Sequence, residues 1–423
     1  MITAKQDLLS MPNPQQSWIC CQLGARENYS IPRALHSIGA LDRLVTDSWV
    51  GEHHPLRFGC WNRLKQRNHP DLASARVRAW TWEAAAMSAL RWRHLQGWNQ
   101  IIARNEWFGR KAAAAIQGLH GGQSDSPMVF SYSYTAKPVF ELAKQRGWTT
   151  VLGQIDGGLV DSLLVQKLHS LQTNKISSWT PAPPAYWDAW KEELRLADHI
   201  IVNSNWSRQC LVESGLIAPE RITVIPLAYR PPGEASEFVR RYPSRFTPER
   251  PLRVLFLGQV MARKGVIPIF EAIRLLTDLP VEFTLVGPLS LAVPPDIQAN
   301  PRVTFTGPVP RSQVARYYRE ADVFLFPTFS DGFGLTQIEA QAWKLPVIAS
   351  RFCGEVVRDG CNGMILSEVS ATAISEALRT SCGNAKQMAA YSEKSVSMWD
   401  YDIPRLAERM QSLSDSSQSS VAP

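Results

Sequence analysis

The chain has 423 residues, 45% of them hydrophobic and 20% charged, with a formal net charge of +7. One hydrophobic core rarely grows past about 250–300 residues, so two domains are expected from an ordinary globular composition. No run of 18 apolar residues is present to span a membrane, and the opening MITAKQDLLSMPNPQQSW lacks the apolar core of a signal peptide.

Strand-like and helix-like segments alternate from residue 17 onward. SWICCQL (17–23) reads as a strand ending at Gly24, and SIPRALHSIG (30–39) as the helix after it. The tract from about 42 to 127 is less regular and reads as mostly helical. MVFSYS (128–133), TTVLGQ (149–154), HIIVNS (199–204) and ITVIPL (222–227) continue the strands, with helices between them. Such alternation predicts a parallel sheet covered on both faces. The stretch 228–251 is rich in Pro and charge without a sustained apolar period, which is linker composition. The pattern then restarts with LRVLFLG (252–258), VEFTLVG (281–287), RVTFTG (302–307), DVFLFP (322–327), LPVIAS (345–350) and GMIL (363–366). The expected organisation is an N-terminal domain over 1–227, a linker over 228–251 and a C-terminal domain over 252–395. A helix over 396–413 and a disordered tail over 414–423 complete it. Ligands of two such doubly wound domains bind at the carboxyl ends of the strands, in a cleft between the domains.

Charge is uneven along the chain. Residues 57–111 hold 11 Lys and Arg against Asp71, Glu83 and Glu106, with Trp61, Trp80, Trp82, Trp92, Trp98 and Trp107 interleaved. That pattern suits an anionic membrane surface or an anionic substrate, or else a solvated Arg-rich face with its tryptophans in the core. No recognisable module for nucleic acid accompanies it. The seven cysteines are scattered, odd in number and without metal-ligand spacing. They read as reduced thiols of a cytoplasmic protein, with any membrane contact peripheral and at the inner face, and no metal site is predicted.

The stretch FPTFSDGFGLTQIEAQAW (326–343) carries the chemistry. The loop after Pro327 leaves the carboxyl end of a buried strand. Gly332 and Gly334 allow close approach of backbone to a ligand, and Phe333, Gly334 and Leu335 open a helix. Unpaired N–H groups at a helix start and the positive end of its dipole suit phosphate. Glu339, one turn further in, suits a pair of vicinal hydroxyls such as those of a ribose. Asp331, before the glycines, suits hydroxyls carried by the far phosphate.

Two acids with seven residues between them, enclosing Gly-Phe-Gly-Leu and followed by EAQAWKLPVIAS, resemble the signature of glycosyltransferase family 4. Those are retaining nucleotide-sugar transferases of the GT-B fold, with two Rossmann-like domains. LADHIIVNSNWSRQCLVESGLIAPERITVIPLAY, VLFLGQVMARKGV, FTGPVPRSQVARYYREADVFLFPT and GEVVRDGCNGMIL are similar to further family segments in order and spacing. The resemblance implies that Glu339 binds ribose and that the backbone at Phe333, Gly334, Leu335 and Thr336 binds the diphosphate. It implies a donor-site role for Gly258 and donor-sugar contact for Asp331, where the family usually has Glu. Lys264 matches a phosphate-gripping Lys, while the matching Arg position is Gln259 here and Arg263 stands close by. Two cations there would stabilise charge building on the leaving diphosphate without a metal. Gly24 matches the family's glycine loop. Asp156 either orients an acceptor hydroxyl or caps the turn before Gly157 and Gly158.

The expected function is transfer of a sugar from a nucleoside diphosphate sugar to a glycan or lipid-linked glycan, without a further cofactor, in cell-surface polysaccharide assembly. A non-catalytic subunit of the same fold that supports a partner enzyme is the second reading.

Overall fold

The structure is a computed structural model and describes residues 16–51, 54–55, 66–119, 126–171 and 180–419. Strands β1 (Trp18–Gln22), β2 (Leu41–Thr46), β3 (Val77–Ala79), β4 (Met128–Tyr132), β5 (Thr149–Gln154), β6 (His199–Val202) and β7 (Ile222–Val224) form one sheet, in the order β3-β2-β1-β4-β5-β6-β7. Helices α1 (Ser30–Ser37), α2 (Thr81–Ala86), α3 (Gly97–Gln117), α4 (Lys137–Gln145), α5 (Gly158–Ser170), α6 (Pro184–Leu196) and α7 (Asn205–Glu213) connect them. The β1–β2, β1–β4, β2–β3 and β6–β7 pairs are parallel. All five residues of β1 are buried, Cys20 and Cys21 among them, as expected for a strand covered on both faces. Burial pushes the Cys21 thiol up to about 12, which keeps it neutral and unreactive.

The tract 42–127 departs from the expectation of helix, because β2 and β3 lie within it. Asp42 and Arg43 disguise β2. Asp42 is nevertheless buried, with its carboxylate 3.4 Å from the Arg76 guanidinium. Of the six tryptophans in 57–111, Trp92 and Trp107 are buried and Trp82 is exposed, while Trp61 lies outside the described residues.

The later part of the chain contributes α8 (Gly233–Glu237), β8 (Leu252–Leu257), α9 (Val266–Leu275), β9 (Val281–Val286), α10 (Pro295–Gln298), β10 (Val303–Gly307) and α11 (Arg311–Glu320). After these come β11 (Val323–Phe326), α12 (Leu335–Ala342), β12 (Val347–Ala349), β13 (Gly363–Ile365), α13 (Ala371–Gly383), α14 (Ala385–Glu393) and α15 (Ile403–Ser419). The six strands form a second sheet in the order β10-β9-β8-β11-β12-β13, with every neighbouring pair parallel. Strand β8 shows why it is central. Leu252, Val254 and Phe256 join a core with Ile269 and Ile273 of α9, and Leu255 joins the opposite core with Ala340 of α12. Period-two alternation of apolar side chains thus feeds both faces, each buried side chain worth about 1.5–3 kcal/mol.

The stretch 228–251 is not a loose tether. Phe246 is buried in the core with β8, and the Arg250 guanidinium forks onto Asp322 at 2.6 and 2.7 Å. Arg240 donates to the carbonyls of Tyr318, Trp343 and Lys344 at 2.6, 2.9 and 3.0 Å. Those carbonyls close α11 and α12, so a charge that reads as solvated satisfies two helix ends. The C-terminal helix also runs six residues past the predicted limit of 413, into the predicted tail. Leu406, Met410 and Leu413 keep its buried face, and Trp18 donates to Ser414 at 3.2 Å.

The chain divides into two compact units. One comprises Met1–Val151, Leu196–Asp198 and Ala407–Pro423, the other Leu152–Arg195 and His199–Leu406. Helices α5 to α7 thereby group with the second sheet, which differs from a boundary at 227.

Candidate functional site

The order of the second sheet reverses between β8 and β11, which pair through Val254 with Val323 and Leu255 with Phe324. The loop after β8 leads to α9 on one face, and the loop after β11 leads to α12 on the other. Open α/β sheets bind ligands where neighbouring strands send their chains in opposite directions. Gly258, Arg263 and Lys264 lie on the first loop and 331–336 on the second.

Backbone contact locks the two loops together. Gly258 leaves β8 with its N–H donating to the Val286 carbonyl at 2.9 Å. A turn at Ala262–Lys264 then ends at Gly265, which has φ +72° and opens α9. A Cβ there would stand 1.8 Å from the Pro327 carbonyl oxygen, so only glycine allows this approach. The Arg263 carbonyl accepts from the Phe329 N–H at 2.8 Å, and Arg263 Nη1 donates to the Ser330 carbonyl at 2.9 Å. Both cationic residues are therefore oriented by the neighbouring loop.

Lys264 Nζ forms an ion pair with Asp331 and lies 5.3 Å from the centre of the Phe326 ring. Burial opposes ionisation of Asp331, but the charges of Lys264 and Arg263 outweigh it and hold the carboxyl below its ordinary range. Asp331 Oδ1 also accepts from the Phe333 N–H at 3.3 Å. Gln259, at the position where the resemblance expects Arg, donates instead to Ser290 Oγ at 2.7 Å.

Helix α12 begins at Leu335, two residues later than the expected opening at Phe333, with Gly334 before it at φ +79°. A Cβ on Gly334 would lie 2.6 Å from carbons of the Phe326 ring. Gly332 is equally confined, since a Cβ would meet the Ile155 carbonyl oxygen at 2.5 Å. Its own carbonyl accepts from Ser204 Oγ at 2.5 Å and Ser207 Oγ at 3.3 Å at the start of α7. Trp206 Nε1 donates to Ser330 Oγ at 2.9 Å. The glycine loop is held from both sides, and its backbone is preorganised. The Phe333 ring turns inward to a small core with Ile338 and Val356. Its own N–H and carbonyl are engaged by Asp331 and by the Gly354 N–H, so Gly334, Leu335 and Thr336 stand at the start of the helix beyond it.

Glu339 lies on α12 one turn in, and its Oε2 accepts from the Tyr318 hydroxyl of α11 at 2.8 Å. Burial raises the Glu339 carboxyl, against the opposing effects of Tyr318 and Arg311. Tyr318 is a residue that sequence reading missed. It sits in the unremarkable string ARYYRE, and only the fold shows that its hydroxyl aims at Glu339.

The other two predicted residues have local roles. Asp156 Oδ1 accepts from Gln154 Nε2 and from the Gly158 N–H, both at 2.9 Å, which is the turn-capping geometry. Gly24, in the other unit, has φ +81°, and its N–H donates to Asp47 Oδ1 at 2.9 Å. Asp47 also takes Arg67 and Arg104 at 3.3 and 3.1 Å, so that loop is anchored by a buried carboxylate.

Chemically, the arrangement offers two cations and a helix start for a diphosphate, and beyond them a carboxylate for a vicinal diol. Among the described residues no cluster of His, Cys, Asp and Glu is placed to hold a metal ion.

Comparison with known proteins gives the same region a family. Residues 251–384 match the family described as Glycosyl transferases group 1. D-inositol 3-phosphate glycosyltransferase of Mycolicibacterium gilvum is 31% identical over 222 residues, covering 48% of this chain and 49% of that protein. An uncharacterized 41.2 kDa protein in a cps region of Klebsiella pneumoniae is 29% identical over 182 residues, covering 42% and 50%. The chain thus spans about half the length of the curated relatives it matches. Among solved structures, HepE of Anabaena in complex with UDP-glucose superposes with a TM-score of 0.58 at 13% identity, over 94% of this chain and 99% of that one. Sucrose-phosphate synthase of Thermosynechococcus elongatus gives 0.61 at 16% identity, over 96% and 100%. At such identities these structures establish the GT-B fold.

Proposed function

We propose that this chain, a member of the glycosyl transferases group 1 family through residues 251–384, is a retaining glycosyltransferase that uses a nucleoside diphosphate sugar. The observation that carries the reading is the convergence of Arg263, Lys264 and the start of α12 at the reversal of strand order, with Glu339 one turn deeper. Glu339 takes the ribose hydroxyls. The backbone at Gly334, Leu335 and Thr336 takes the diphosphate, with Lys264 and Arg263 supplying positive charge as the sugar–phosphate bond breaks. Asp331 meets the donor sugar, and its short side chain brings the sugar close to Lys264. The acceptor hydroxyl attacks from the face of the leaving group and gives its proton to a phosphate oxygen, so no protein nucleophile takes part. The cationic work is assigned to Arg263 and Lys264 and not to a metal.

The acceptor is read as a glycan or lipid-linked glycan of the cell surface, a class in keeping with the cps-region relative. Contact with an anionic membrane through 57–111 belongs to the same proposal. Trp82, Leu90 and Ile101 are exposed there at 59%, 68% and 43%, beside the basic surplus of that stretch. No helix among the described residues is long and apolar enough to cross a membrane, so such contact would be at the surface.

The test is turnover by the purified chain with a panel of nucleotide sugars and short glycan acceptors. Release of nucleoside diphosphate with retention of the anomeric configuration is expected. Binding without turnover across the panel would instead favour the non-catalytic subunit.

A further inference from the structure

One half-buried acid beside this site has no role in the chemistry proposed above. Asp161 lies in the first turn of α5, which packs against the Ala262–Lys264 turn. Its Oδ1 is shut off from solvent and has no hydrogen-bond partner. An unpaired buried oxygen of this kind is costly, more so on a charged group, and calls for an explanation. The groups that face it are Arg263 on the turn, Asp156 before α5, Asp331 and Ser330 on the loop after β11, and Cys210 on α7. Burial raises the Cys210 thiol to about 12, so it stays neutral. The local charges are then three carboxylates against the two cations Arg263 and Lys264.

A nucleotide sugar adds two further negative charges from its esterified diphosphate. With every carboxylate ionised, a bound anion would face a site that is already net negative. We infer that, on the donor-site reading proposed above, binding of the nucleotide sugar draws one proton from solvent onto Asp161, so that its charge no longer opposes the anion held beside Arg263. The O–H bond formed on Asp161 is matched by the bond to the same proton broken in hydronium or a buffer acid. The other acids are poorer carriers. Asp331 is held ionised by Lys264, and Asp156 Oδ1 already accepts from Gln154 Nε2 and the Gly158 N–H. Burial already raises the Asp161 carboxyl in the free protein, the direction that makes protonation inexpensive.

Titration calorimetry with a nucleotide sugar tests this, since both phosphates are esterified and the ligand does not itself titrate near neutrality. Affinity of the unmodified protein should fall as pH rises above the ordinary carboxylate range, by at most about tenfold per pH unit. At one pH, the measured heat should depend on the ionisation enthalpy of the buffer in the sense of proton uptake. Asp161→Asn should bind with a flat pH profile and lose that uptake. A flat profile in the unmodified protein overturns the inference without any variant. A slope that persists unchanged in a folded Asp161→Asn overturns it equally. Failure of every nucleotide sugar to bind overturns the donor-site reading and this inference with it, whereas binding without proton uptake overturns this inference alone.

Discussion

Replacing Lys264 with alanine separates the structural from the catalytic work of one side chain. Lys264 and Asp331 are 14% and 20% exposed, so the pair is mostly shielded from water. Breaking a fully buried pair from one side costs about 3–5 kcal/mol, because the remaining charge is left uncompensated. Here Arg263 still faces Asp331, and part of the carboxylate reaches solvent, so about 1.5–3 kcal/mol is expected from the same source. Lys264 also loses its place over the Phe326 ring, a contact worth about 0.5–1 kcal/mol. The folded-state carboxyl of Asp331 is depressed, so its stabilisation is present above the ordinary carboxylate range and disappears as pH falls through the folded value. Urea denaturation should therefore show the full gap between Lys264→Ala and the unmodified protein at pH 7, shrinking below about pH 4. Adding Asp331→Asn should recover much of the loss, since it removes the stranded charge. Equal stability of Lys264→Ala and the unmodified protein at pH 7, or strict additivity with Asp331→Asn, would refute the pairing. Turnover should fall by about 10²–10³-fold, as when one donor to a developing negative charge is removed.

Three further outcomes follow from the same geometry. Glu339→Ala should chiefly raise the donor KM, and unchanged donor binding would make the ribose assignment wrong. Tyr318→Phe leaves the carboxylate without its oriented donor, a hydrogen bond to a charged group worth about 1.5–3 kcal/mol. Steady-state kinetics should show a donor KM raised by several-fold with kcat little changed, and the reverse split would point to a different role. Gly334→Ala forces a left-handed non-glycine residue, at about 1–2 kcal/mol, against the Phe326 ring, at about 1–3 kcal/mol more. Thermal unfolding should lower Tm by several degrees and abolish nucleotide binding, while an unchanged Tm would contradict the close packing. For the surface reading of 57–111, co-sedimentation with anionic vesicles should occur at low salt and fade at high salt, and absence of binding at low salt would dispose of it.

Much of the fold was legible because buried parallel strands are nearly continuous apolar runs. VLFL and VFLF announce themselves, as do the glycines that must follow them. Strand β2 was not legible, because Asp42 and Arg43 break the run and the ion pair that permits burial of Asp42 comes from Arg76, distant in sequence. The role of 228–251 was hidden for a similar reason. Arginine reads as solvated until the helix ends that it satisfies are in view. The serine-rich C-terminus read as disorder, although Met410 and Leu413 continue an apolar face and Ser414 receives a tryptophan hydrogen bond. At the site, spacing brought out the glycines and both acids because helix geometry fixes neighbours at one turn. Tyr318, Trp206 and Asp161 come from other elements, and no local pattern carries that information.

The central claim is that the loops after β8 and β11, with α12, form a nucleotide-sugar site. The most direct measurement is a thermal-shift panel of nucleoside diphosphates and their sugars on the unmodified protein and on Glu339→Ala. A ligand present at about 100 Kd should stabilise the unmodified protein by about 2.7 kcal/mol. The account predicts a clear shift with at least one nucleotide, lost or strongly reduced in Glu339→Ala. A flat panel, or an equal shift in both proteins, would contradict it.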